Sequence, residues 1–138
     1  MAVVQGQFVT TFVSGTASVV NQQTVHAGDA ALQTEQTVEN IAKLIAPENL
    51  VRHGLPGAGA SLRDLAKLRV YVKRHEDYGA CREVVERMLP GVPVLYLRAD
   101  MCRPELLVEI EAVAFSPYRG RVLRRSESMN GKEHDAVS

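Results

Sequence analysis

Apolar residues recur along this chain with two different periods. From Lys67 to Lys73, Leu68, Val70 and Val72 alternate with Arg69, Tyr71 and Lys73, which predicts a strand with one buried face. Near the C-terminus Leu106, Val108, Ile110, Ala112 and Ala114 alternate in the same way. A further strand beginning at Val94 leads into that segment, the two being joined near Asp100 to Glu105. Gln7 to Val13 and Thr16 to Val20 read as shorter strands punctuated by Ser14-Gly15, with a turn at Asn21 to Gln23. Elsewhere the period is helical. Val38, Ile41, Ala42 and Ile45 fall at i, i+3, i+4 and i+7, with Asp29 as N-cap and Pro47 as the stop. Glu76 to Leu89 predicts a second long helix, with Tyr78, Cys81, Val84, Val85 and Met88 facing inward.

The remaining segments read as punctuation. Glu48 to Ala60 holds Gly54, Pro56, Gly57 and Gly59 and predicts a surface loop. Ser61 with Asp64 has the spacing of a capping box for one short helical turn, and Pro90 to Pro93 reads as a turn. The order is β-β-α-β-α-β-β over residues 1–115, one domain with two helices on one sheet face. From Ser116 the periodicity stops, and residues 116–138 read as a disordered tail. Two helices cover only one sheet face. An uncovered apolar face is a liability in a monomer, so self-association is expected.

The last strand breaks its own rule. The set opposite its apolar face is Leu107, Glu109, Glu111, Val113 and Phe115, which puts two carboxylates in the middle of an apolar stripe. Residues two apart on a strand point the same way, about 7 Å apart. Such rule-breaking positions are where function concentrates. An apolar wall around Glu109 would suit it to act as a general acid; a solvated face would need no such role. Just upstream, Arg98 and Arg103 can each grip a carboxylate with paired hydrogen bonds, or simply pair with Asp100 and Glu105. Cys102 lies in the same turn and reads as a pocket-lining residue, whereas Cys81 falls on an apolar helix face and reads as core. Together these residues predict a site for a small anionic molecule.

Composition narrows the classes. The chain has 138 residues, 46% of them hydrophobic and 23% charged, which is enough for one domain with a core. Lys+Arg and Asp+Glu are 16 each, and aromatics are 5% with no Trp, so neither a basic field nor stacking platforms point to nucleic acid. There is no long apolar run and no basic N-terminal leader pattern; a cytoplasmic protein without membrane partners is expected. The two cysteines show no zinc spacing, and His26, His53, His75 and His134 are scattered, so neither metal nor other cofactor is expected. The glycines at 54, 57 and 59 lack the ending of a phosphate loop. Arg119, Arg121, Arg124 and Arg125, followed by acidic residues, read as a solvated tail.

The segments GDAALQTEQTVENIAKLI, LRDLAKLRVYVKRHEDYGACREVVERMLP and LLVEIEAVA together resemble the RidA/YjgF family over Phe12 to Phe115. The resemblance implies a chorismate-mutase-like α+β fold assembled as a homotrimer, with small-molecule pockets between subunits. Its main branch hydrolyses enamines and imines. Counted back without gaps from VEIE, the arginine that anchors the substrate carboxylate in that branch falls on Val94, while Glu109 matches the motif glutamate. The branch's N-terminal tyrosine is absent from MAVVQGQF.

The segments FVSGTASVV, VHAGD and YLRADMCRPELLVEIE are similar to the C-terminal half of the chorismatases, which are about twice as long and carry a related N-terminal half. Chorismatases hydrolyse the enolpyruvyl ether of chorismate. That likeness implies Glu109 as the acid, Arg98 and Arg103 as carboxylate holders, Cys102 as ring-pocket lining, and Tyr96 and Glu111 as further substrate contacts. An enamine or imine deaminase and a non-catalytic ligand-binding module are the alternatives. An endoribonuclease is disfavoured by the zero net charge and the lack of a histidine pair.

Overall fold

The computed structural model describes residues 1–120; the arginines at 121, 124 and 125, His134 and the tail expected around them lie outside the described residues. Seven strands and three α-helices follow in the order β1 (Ala2–Gln5), β2 (Phe8–Thr16), β3 (Val19–Val20), β4 (Gln23–Thr24), α1 (Ala30–Ile45), α2 (Pro47–Arg52), β5 (Leu65–Val72), α3 (Tyr78–Met88), β6 (Val94–Arg98) and β7 (Val108–Pro117). Five of the strands form one sheet in the order β1-β2-β7-β5-β6. The β5–β6 pair is parallel, as a strand-helix-strand crossover through α3 requires, and the other pairs are antiparallel. The mixed sheet of the α+β fold that the resemblance implies is therefore present.

The helical stripes face this sheet. Val38, Ile41 and Ile45 of α1 and Cys81 and Val85 of α3 meet Leu68, Val70 and Val72 of β5 and Val108, Ile110, Ala112 and Ala114 of β7 in one cluster. Ile41, Ile45, Val70, Val85 and Ile110 are wholly buried, each contributing about 2 kcal/mol. The Asp29 carboxylate accepts from Leu32 N at 2.9 Å, the cap expected for α1. The Asp64 carboxylate accepts from Ser61 N at 2.8 Å, closing the capping box of a single 3-10 turn.

Three segments depart from the sequence reading. The expected loop from Glu48 to Ala60 begins with α2, because Pro47 starts a helix as readily as it stops one: it occupies the first turn, where its missing N–H is not needed. The first residues form β1, which pairs with β2 and has no alternation of its own to reveal it. Thr16 to Val20 is not one strand. β2 runs on to Thr16, and Val19–Val20 folds against β4 through Asn21 and Gln22, both at positive φ (49° and 69°).

The second sheet face is uncovered by helices. It presents Phe8 and Phe12 of β2, Phe115 of β7 and Leu95 and Leu97 of β6, all exposed. Among them stand Arg69 and Tyr71 of β5 opposite Glu111 and Glu109 of β7. Leu107, placed on this face by alternation, is instead buried in the core, because β7 starts only at Val108 and the residues before it follow no pleat.

Candidate functional site

β2 and β7 pair in register from Phe8–Pro117 to Val13–Ala112, and then the register shifts before Thr16 meets Ile110. The extra length is a bulge, and Gly15 lies in it. A Cβ at position 15 would overlap Oε1 of Glu109, so the bulge and its glycine together make room for the Glu109 side chain. The Glu109 carboxylate faces a cavity of about 530 Å³, whose walls include Gly15, Asn40, Lys43, Cys102, Arg103 and Leu106. Among the described residues Glu109 has no hydrogen-bond or ion-pair partner.

Glu111, two residues on and on the same sheet face, has side-chain partners instead. Its Oε2 accepts from the Tyr71 hydroxyl at 3.1 Å and lies 3.8 Å from Arg69 Nη1, all on the open sheet face. The two glutamates that sequence spacing leaves equivalent are thus distinguished by their neighbours.

The wall opposite β2 is the irregular connection between β6 and β7. It is fastened by Gln33, which is wholly buried. The Gln33 amide donates to Glu105 O at 2.8 Å and to His26 O at 3.2 Å, while its oxygen accepts from Leu107 N at 2.8 Å. Lys73 adds a bond to Pro104 O at 2.9 Å. Arg103 Nη1 donates to Gln22 O at 3.0 Å, docking the β3–β4 ribbon onto the same connection. The third wall is α1, where Asn40 Nδ2 donates to Ala17 O at 2.9 Å and Val19 O at 3.0 Å.

Of the residues singled out from the sequence, the fold brings Glu109, Cys102 and Arg103 around one cavity. Arg98 and Tyr96 line another, of about 300 Å³, with Arg74, His75 and Tyr78. Tyr78 and Tyr96 meet edge to face there, with ring centres 5.2 Å apart. Burial raises the Tyr96 phenol above its ordinary value, and the nearby Glu86 carboxylate adds to that. Neither arginine is paired with Asp100 or Glu105; Asp100 faces Lys73 at 3.8 Å instead. Burial likewise raises the Cys81 thiol, in keeping with a core residue. Among the described residues no group of three His, Cys, Asp or Glu side chains could hold a metal ion, and no helix is long and apolar enough to cross a membrane.

Gly15, Gln33, Asn40 and Lys43 escaped the sequence reading of the site. The signal for Gly15 was present, since a glycine inside a β-rich run marks a bulge or a close approach. Gln33 left one too, as a polar residue placed to face inward on an amphipathic helix.

The sequence pattern of the endoribonuclease L-PSP family matches residues 2–116, from the start of β1 to the penultimate residue of β7. The chain belongs to this family, also called RidA/YjgF. Within it, a 3-hydroxybenzoate synthase of Streptomyces hygroscopicus is 47% identical over 103 residues, 74% of this chain and 30% of that protein. The 3-aminoacrylate deaminase RutC of Acinetobacter baylyi is 32% identical over 96 residues, 68% of each chain. The crystal structure of a chorismatase superposes with a TM-score of 0.72 at 40% identity, covering 77% of this chain and 32% of that one. The chain therefore spans only about 30% of the length of the first relatives it matches.

Proposed function

We infer that this L-PSP protein is a chorismatase-like hydrolase acting on the enolpyruvyl ether of a cyclic, carboxylated metabolite. The observation that carries the reading is the placement of Glu109: a carboxyl group lining a cavity with no partner among the described residues, two residues from a glutamate hydrogen-bonded to Tyr71. The chorismatase-like relatives lend the substrate class.

In this reading Glu109, in its acid form, protonates the methylene carbon of the enol ether. The double-bond electrons form the new C–H bond and leave an oxocarbenium ion. Water adds to the carbon that bears the ether oxygen and gives its proton to the carboxylate left on Glu109, and the hemiketal collapses to pyruvate and the ring alcohol. One water is consumed and no redox partner is needed. Arg103 holds a carboxylate within the cavity, and Cys102 lines the space for the ring.

The protein works as a homotrimer in this account. The open sheet face, with Phe8 65% and Phe115 54% exposed, is covered by neighbouring copies. Arg98 and Tyr96, on edge strand β6, then complete the Glu109 cavity of the next protomer, with Glu111 and Tyr71 on the shared face.

The test is incubation with chorismate, following pyruvate by coupled lactate dehydrogenase. Wild type should release pyruvate and Glu109→Gln should not. No pyruvate from wild type rejects the reading. The RutC relative favours one second reading, an enamine or imine deaminase using the same glutamate, with an anchor other than the arginine position held here by Val94. Ammonia release from an enamine generated in situ distinguishes it.

A further inference from the structure

The Glu109 cavity carries one positive charge that the mechanism above does not use. Asn40, Lys43 and Leu44 occupy positions i, i+3 and i+4 of α1, one face of the helix, and all three border this cavity. That face cannot drift, because Asn40 is bonded to Ala17 O and Val19 O of the opposite wall. Lys43, one turn further along, is exposed and forms no ion pair among the described residues. Across the cavity, Arg103 uses Nη1 on Gln22 O and Thr24 Oγ1, which leaves its remaining N–H groups to face a ligand.

Within one protomer the charged residues on these walls are Lys43, Arg103 and Glu109; in the trimeric reading Arg98 of a neighbouring copy joins them. Lys43 and Arg103, the two cations of one protomer here, stand on separate walls, α1 and the β6–β7 connection. A ligand with one carboxylate satisfies one of them; a ligand with two satisfies both.

We propose that Lys43 is a specificity-determining residue, forming with Arg103 a two-cation clamp that selects ring compounds bearing two carboxylates over those bearing one. The clamp rests on the enolpyruvyl-ether reading for its substrate class and adds the residue that discriminates within it. Arg103, locked to the ribbon, gives fixed geometry. Lys43, on a flexible stem, gives a point charge that reaches the second carboxylate at different ring positions.

The experiment is calorimetric titration of the purified full chain with chorismate and isophthalate as dicarboxylates and benzoate as the monocarboxylate, in wild type, Lys43→Met and Lys43→Arg. Loss of one charge-assisted contact should weaken dicarboxylate binding about tenfold or more in Lys43→Met, with benzoate within about twofold of wild type. Lys43→Arg should restore most of the dicarboxylate affinity, which a merely structural role for the lysine would not produce. The wild-type preference for dicarboxylates should shrink as salt is raised. Equal dicarboxylate binding by wild type and Lys43→Met, or a wild type that binds no dicarboxylate, overturns the clamp. The pyruvate assay reads the reaction separately. Lys43-dependent binding without pyruvate leaves the clamp standing and removes the hydrolase; pyruvate release with binding indifferent to Lys43 does the reverse.

Discussion

The Glu109 carboxylate occupies the space that a side chain at Gly15 would need, so a strand bulge on β2 and an acid on β7 are shaped to each other. Gly15→Ala should therefore push the carboxylate out of position. A displacement of about 1 Å at the reacting group is expected to cost about 100-fold in turnover, with about 1–3 kcal/mol of stability lost to overpacking. The shorter acid in a Gly15→Ala/Glu109→Asp double variant should recover stability relative to Gly15→Ala alone, measured by denaturant unfolding. Strict additivity of the two changes would deny the contact.

Gln33 supports the opposite wall, and its contribution is also measurable. Replacing it with Ala leaves Glu105 O, His26 O and Leu107 N without their side-chain partner. About 3 kcal/mol of destabilisation is expected in urea unfolding. Any activity that persists should show a raised KM, because the connection carrying Arg103 is loosened.

The open sheet face gives a third expectation. Phe12 pairs with Val113 and Phe115 with Thr10, so the two phenylalanines are diagonal neighbours on β2 and β7. The double variant Phe12→Lys/Phe115→Lys should shift the mass seen by light scattering from three chains to one. Mixing subunits carrying Arg98→Ala with subunits carrying Glu109→Gln should restore part of the activity that each lacks alone, since some clefts would then hold both native residues. A monomeric wild type would remove the trimer from the account.

Stability should fall at alkaline pH through Cys81. Its thiol is raised above the ordinary 9.0 chiefly by burial, with the neighbouring Thr34 side chain opposing. The unfolded chain sheds that proton first, so between the ordinary and the raised value the folded state binds more protons and stability declines as pH rises. The contribution is complete below the ordinary value and is lost as pH climbs through the raised one. Melting temperatures across about pH 8 to 10.5 should fall less steeply in Cys81→Ala than in wild type. Parallel curves would assign the decline elsewhere, Tyr96 included.

Much of the scaffold was legible because periodicity is a local signal. Ile41 and Ile45, or Val70 and Ile110, announce their buried faces within a few residues. The cap at Asp29 and the box at Ser61 and Asp64 were equally local. Glu109 stood out as a carboxylate in an apolar stripe, but what separates it from Glu111 is Tyr71 and the Gly15 bulge, which come from other strands. Asn40 and Lys43 look like ordinary polar positions of an amphipathic helix until β2 and the β6–β7 connection are placed beside them. β1 was hidden because a short strand is stabilised by its partner and leaves little trace in its own residues.

The position of β7 in the sheet sets the order in which the molecule can be completed. It is the last described strand along the chain, yet it lies between β2 and β5. Until it arrives, the sheet is two separate pieces, each showing an unpaired edge. A chain that has emerged only as far as β6 cannot close its core. Closure depends on contacts distant in sequence, such as Gln33 with Glu105, which makes the final step slow compared with helix formation. The same event that joins the two halves carries Glu109 into its cavity, so the cavity is formed only at the end of folding.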